Sequence, residues 1–178
     1  MRILNNDQLC YACRQHLKLK LKSQLFHGVK LYTLYEYDKD SSQYLVRFKD
    51  YGDTALAPIF LSPIKILLKI LFRKDTLVFV PSSKQMLEYR GFHHLELMVE
   101  GLNMNVEHDL EKTNEIQRFS KSRTVHFKRV TSKKYKNVIL FDDVITSGNS
   151  LHAAVKLLKP ACERLIIVCL FNNYKGGE

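Results

Sequence analysis

The 178-residue chain has no run of about 18 apolar residues, so no membrane-spanning helix is expected. Its first residues, Met1 to Cys10, lack the apolar core of a secretory signal. Cysteine is scarce, with four in all, and without a signal this points to a reducing compartment rather than a disulfide framework. Internal repeats and low-complexity segments are missing. So is any G-x-x-x-x-G-K-[ST] loop, which excludes the phosphate loop of nucleotide triphosphatases. Acids are outnumbered, 18 against 28 Lys and Arg, for a net charge of +10. What is present is 46% apolar and 26% charged, the balance of a globular domain. The length fits one domain with a small appendage. The expected location is the cytoplasm. The basic, amphipathic stretch from Ile64 to Lys74 admits a peripheral contact with the inner face of the membrane. A core-packing helix with snorkelling lysines is the preferred reading of that stretch.

The hydrophobic pattern alternates between strands and helices. Val29 to Glu36 reads as a first strand, and 41–50 as either its hairpin partner or a short helix. Ala55 to Phe72 is apolar and is expected to be helical in two pieces, since Pro58 and Pro63 interrupt it. Leu77 to Val80 reads as a strand, and Phe92, Leu95, Met98, Val99 and Leu102 mark one helix face. Val138 to Phe141 is expected as the central strand, Ser150 to Lys159 as its helix and Leu165 to Phe171 as another buried strand. This order implies an α/β fold, a parallel sheet flanked by helices, with ligands at the carboxyl ends of the strands.

The central strand leads into the most specific pattern of the chain. Two carboxylates, Asp142 and Asp143, follow the apolar run, and then a small polar loop, Thr146-Ser147-Gly148-Asn149-Ser150. Leu151, Ala154, Val155 and Leu158 then repeat with helical spacing. The first turn of that helix offers unpaired N–H groups and a partial positive charge. The loop hydroxyls add hydrogen bonds, and Gly148 permits positive φ and close backbone approach. Ionised carboxylates are acceptors only, suited to ribose hydroxyls or a bound Mg²⁺. Such a loop is a phosphate cradle.

This segment resembles the 5-phosphoribosyl-1-pyrophosphate (PRPP) signature of type I phosphoribosyltransferases. The resemblance implies that Asp142 and Asp143 serve the ribose while Thr146 to Ser150 hold the 5′-phosphate, with Mg²⁺ as cofactor. A wider set of residues resembles the ComF/ComFC competence family. These are Phe48-Lys-Asp-Tyr-Gly-Asp53, Val80-Pro-Ser-Ser-Lys84, Tyr89-Arg-Gly-Phe92, the spaced Gln117, Ser120 and Arg123, and Cys10-Tyr-Ala-Cys13. That family implies a type I phosphoribosyltransferase-like domain over 29–178 and an N-terminal segment, 1–28, carrying half of a zinc finger. It also implies natural transformation, with single-stranded DNA, a DNA-uptake helicase and a recombination mediator as partners. Two departures stand out. His93-His94 replaces the family's Asn-Gln, and no second C-x-x-C follows Cys10 and Cys13, so a zinc site would need His16, His27 or another chain.

Two function classes follow. As an Mg²⁺-dependent transferase, the chain needs cations on the departing pyrophosphate. Ser82, Ser83, Lys84 and Arg90 are candidates for the pyrophosphate loop, Lys49 for a nearby cation, and Arg118, Lys121 and Arg123 for a hood. As a DNA-handling module, it needs a basic groove. From Lys112 to Lys136, nine Lys or Arg face one acid, Glu115, a balance of +8 over 25 residues. Lys128, Arg129, Lys133 and Lys134 are the candidates there. A PRPP-sensing regulator shares the cradle but lacks a helix-turn-helix pattern.

Overall fold

The computed structural model describes residues 10–113 and 125–174. Its main sheet has six strands: β1 (Lys22–Phe26), β2 (Val29–Glu36), β3 (Thr76–Phe79), β4 (Asn105–Glu107), β7 (Tyr135–Ile145) and β8 (Cys162–Asn172). Their spatial order is β1-β2-β8-β7-β3-β4. Only the β1–β2 hairpin is antiparallel; the other four pairings are parallel. Residues Lys22–Phe26, on the appendage side of the expected division at 28/29, therefore belong to the sheet. A separate two-stranded ribbon joins β5 (Leu110–Lys112) to β6 (Phe127–Arg129).

Both faces of the sheet are covered, as parallel strands require. On one face α2 (Lys39–Asp50), the 3₁₀ segment Thr54–Phe60 and α5 (His94–Val99) pack over Ile139, Phe141 and Val168. On the other, α6 (Asn149–Leu158) packs over Val138, Leu140 and Ile167. Phe48, Phe60, Phe141 and Phe171 are fully enclosed, and burial of each such ring stabilises the fold by about 1.5–3 kcal/mol.

Local chemistry settles the open segment at 41–50. The Asp38 carboxylate accepts from the Ser41 amide at 2.7 Å, and the Ser41 hydroxyl accepts from the Asp38 amide at 3.2 Å. This reciprocal cap starts a helix rather than a hairpin. The stretch around Pro58 and Pro63 breaks further than expected, into 3₁₀ segments at Thr54–Phe60 and Ser62–Ile64 followed by α3 (Lys65–Leu71). Thr54–Leu71 has a mean hydropathy of 1.7, high enough for a membrane span, but these breaks and its 44% burial fit a partly buried edge of the fold. The core-packing reading of α3 needs correction. Within it only Leu68 is buried, while Ile66, Leu67, Ile70 and Leu71 are at least half exposed.

Candidate functional site

The acidic pair lies inside β7 rather than beyond its end, because the strand continues through Val144 and Ile145. Pleating sends adjacent side chains to opposite faces. Asp143 therefore lies on the side of Ile139 and Phe141, and Asp142 on the side of Leu140. The two carboxylates thus meet different partners while still repelling each other.

Asp143 is buried and tied within the protein. Its Oδ2 lies 2.5 Å from Lys49 Nζ and 3.0 Å from His94 Nε2. Arg90 donates to His94 Nδ1 at 3.3 Å. A guanidinium can only donate and a carboxylate only accept, so a neutral His94 with its proton on Nε2 suits both neighbours. Burial, Lys49 and Arg90 lower its basicity, and Asp143 offsets them only in part. Burial alone would push the Asp143 carboxyl up. The hydrogen bond from His94 and the charge of Lys49 outweigh it and hold the group well below the ordinary range. Lys49 and Arg90, candidates for pyrophosphate contacts, are thus engaged around Asp143. His94 is the member that sequence reasoning missed, although its departure from the family pattern marked the position.

Asp142 is half-buried, and its Oδ1 accepts from the Asp143 amide at 2.9 Å. Burial, then the neighbouring charge of Asp143, pushes its carboxyl well above the ordinary range. A carboxylate so disposed favours a ligand that restores its charge, a ribose hydroxyl donor or a cation.

The loop beyond β7 forms as the motif suggests. Thr146, Ser147 and Asn149 are exposed and Ser150 is half-buried. Gly148 caps α6 in the left-handed region, with φ at 74°, and no side chain caps the helix. The Asn149 amide donates to Ser147 Oγ at 3.5 Å, and the rest of the first turn offers its N–H groups as donors. The need for glycine has a further cause beyond ligand approach. A Cβ at Gly148 would stand 3.1 Å from both Phe26 and Tyr174.

Ser83 accepts from the Met86 amide at 3.3 Å and caps α4 (Lys84–Arg90). Ser82 and Lys84 line a cavity of about 220 Å³ shared with Pro81, His93, His108 and Lys112.

The basic stretch departs from its one-sided reading. Lys128 pairs with Glu111 at 3.0 Å, Arg129 with Asp109 at 2.6 Å and Lys133 with Glu107 at 2.5 Å. Lys134 donates to the Pro160 carbonyl at 2.9 Å. The acids responsible, Glu107, Asp109 and Glu111, lie just upstream of the basic window, and their alternation was the available signal. The β5–β6 register places Glu111 opposite Lys128. Arg118, Lys121 and Arg123, with Gln117 and Ser120, lie outside the described residues.

At the N-terminal end, Cys10 caps α1 (Tyr11–His16), its sulfur accepting from the Cys13 amide at 3.4 Å. His16 is exposed on the last turn. His27 lies 2.9 Å from His152, next to α6. Among the described residues, the group of three potential metal ligands that draws together is His93, Glu96 and His108.

Comparison with known proteins gives these placements a family. Residues 73–178 match the phosphoribosyl transferase domain. Competence protein ComFC of Bacillus subtilis is 26% identical over 86% of this chain and 78% of its own length. Competence protein ComFC of Streptococcus pneumoniae is 28% identical over 75% of this chain, which spans 64% of that protein. An APRTase from Giardia lamblia, solved in complex with 9-deazaadenine, covers 85% of this chain and 81% of its own at 16% identity and a TM-score of 0.46. With its mostly parallel sheet covered on both faces, the chain has a type I phosphoribosyltransferase-like α/β fold. It belongs to the phosphoribosyl transferase domain family, within the ComF/ComFC phosphoribosyltransferase-like group.

Proposed function

We propose that this chain is a competence-associated, ComF-like protein whose cradle at the start of α6 binds a 5′-phosphorylated ribose. One observation carries the reading. A ten-residue helix begins at a left-handed glycine with no side-chain cap, beside the exposed hydroxyls of Thr146 and Ser147. Those donors suit a phosphate, and the helix dipole favours its charge. Asp142, without a direct contact to Lys49 or His94, would serve ribose hydroxyls or Mg²⁺ when PRPP is bound. The metal would neutralise charge on the pyrophosphate. Asp143 is tied to Lys49 and His94, which favours binding over group transfer. The same donors suit the phosphates of incoming single-stranded DNA in the cytoplasm, with the uptake helicase and recombination mediator of the family as partners. Zinc at Cys10 and Cys13 would require ligands from beyond the pair.

The transferase reading has one observation in its favour. The cavity lined by Ser82, Lys84 and Lys112 offers hydroxyl and ammonium donors for a pyrophosphate.

Calorimetry of the full chain against PRPP with Mg²⁺, and separately against a single-stranded oligonucleotide, tests the proposal. The double variant Thr146→Ala/Ser147→Ala should weaken PRPP binding at least about tenfold, because each hydrogen bond to a charged group contributes about 1.5–3 kcal/mol. Its thermal stability should not change, since both side chains are exposed. PRPP affinity equal to that of the wild type would refute the cradle. Release of pyrophosphate on addition of a nucleobase would favour the transferase.

A further inference from the structure

The geometry points to a divalent transition-metal site formed by His93, Glu96 and His108, separate from both the cradle and the Cys10–Cys13 pair. One ligand atom from each residue lies within 4.8 Å of the other two. His93 immediately precedes α5 and Glu96 lies three positions on, so both project from one side of the helix start. His108 comes from the short connection between β4 and β5. Two different parts of the chain therefore converge on one point.

The spacing fits shared coordination. His108 Nε2 and Glu96 Oε1 are already 2.9 Å apart. Ligands bound at about 2.0–2.2 Å to one tetrahedral ion lie roughly 3.5 Å from each other. Side-chain rotation of about 1 Å closes the remaining gap. The His93 and His108 rings stand with centroids 5.8 Å apart and planes at 74°, leaving space between them.

A second observation comes from His93 itself. Its Nδ1 is buried and lacks a hydrogen-bond partner. Its ring packs against Phe79 at 5.5 Å, which holds its position. Buried polar nitrogens normally have a partner, and one without invites a ligand. Nothing in the phosphate-cradle chemistry uses this residue.

The donor set selects the ion. Two imidazoles and one carboxylate suit Zn²⁺ and its neighbours, whereas Mg²⁺ and Ca²⁺ prefer all-oxygen shells. Three protein ligands leave a fourth position for water or an incoming group, the pattern of an exchangeable site rather than a closed structural one. His93 and His108 line two adjoining cavities, one with Ser82 and Lys84, the other with Leu97, Val99 and Met104. The open position is thus reachable, and it adjoins the hydroxyl of Ser82 and the ammonium of Lys84.

The experiment uses the full chain carrying Cys10→Ser and Cys13→Ser, so that the N-terminal thiolates cannot contribute. Zinc titration against a chromophoric chelator should show one equivalent bound. Cobalt substitution should give a d–d spectrum without thiolate charge transfer. His108→Ala and Glu96→Gln should each weaken binding by about 100-fold or more, since loss of an outer-shell partner alone costs about 10–100-fold. Both side chains are substantially exposed, so thermal melts should match the parent, which separates ligand loss from unfolding. If this double-serine chain takes up no zinc, or if His108→Ala and Glu96→Gln bind it as tightly as the parent, the assignment is overturned.

Discussion

The cradle and the β5–β6 ribbon are both polar, both lie near the sheet, and both stand out in the sequence. They differ in where their hydrogen-bonding capacity goes. In and beside the ribbon, Lys128, Arg129 and Lys133 each meet an acid, and Asp109 also accepts from the Thr131 amide and hydroxyl at 3.1 and 2.9 Å. Its charges hold the protein to itself. In the cradle, the start of α6 has no side-chain cap and two hydroxyls face solvent. Apart from the Asn149 amide, which Ser147 Oγ accepts at 3.5 Å, its donors remain for a ligand. Local charge density is therefore a poor guide to a binding surface, because it counts groups whose partners lie a few residues outside the window. Unspent donors at a helix start are a better guide, since backbone geometry alone creates them.

The sharpest test of this contrast is Asp109→Ala. Asp109 is fully buried, and Arg129, only 17% exposed, would be left without its carboxylate. Removing one partner of a buried pair costs about 3–5 kcal/mol, readable by urea unfolding. The pH dependence carries the same signature. Burial would raise the Asp109 carboxyl, but hydrogen bonds from Arg129 and Thr131 outweigh it and lower the group. Its stabilisation is therefore present above the ordinary carboxylate range and lost as pH falls below it. The gap in stability between wild type and the variant should narrow on acidification. A gap that stays constant down to acid would break the picture of a self-paired ribbon.

The next largest effect is in the cradle. Gly148→Ala places a Cβ in a left-handed conformation, 3.1 Å from two aromatic rings. A loss of about 2 kcal/mol is expected. Stability within a few tenths of wild type would mean that Phe26 and Tyr174 yield easily.

Asp142→Asn should act in the opposite direction. The raised carboxyl is driven toward its neutral form in the fold. Ionisation in the unfolded chain then draws stability away as pH rises past the ordinary carboxylate range. The variant should be more stable than wild type at neutral pH, with an advantage that shrinks in acid, while binding PRPP more weakly. A lower melting temperature at neutral pH would show that the bond from the Asp143 amide to the Asp142 carboxylate outweighs its burial.

The smallest effect is expected from Lys128→Gln with Lys133→Gln. Both lysines are more than half exposed, and exposed ion pairs contribute about 0–1 kcal/mol. The salt dependence of single-stranded DNA binding should also hardly change. A slope reduced by about 1.4, the value for two lost phosphate contacts, would return the ribbon to the DNA interface.

Much was legible in the sequence because it depends on near neighbours. Val29 to Glu36 was readable as a strand, and α6 as a helix opening at Gly148 after a polar loop, because periodicity and glycine chemistry act within a few residues. The α/β class followed from the order of those elements. The expectation for α3 failed because amphipathic spacing does not say whether another element arrives to cover the face.

The division of labour within the acidic pair shows the limit most clearly. The sequence by itself determined that two carboxylates follow a buried apolar run and precede a small polar loop and a helix. Only the tertiary structure decided that Asp143 meets Lys49 and His94, distant in the chain, while Asp142 does not. The fate of each carboxylate depends on which side of the sheet it occupies and which helix packs there. Those are consequences of long-range packing, and no local pattern encodes them.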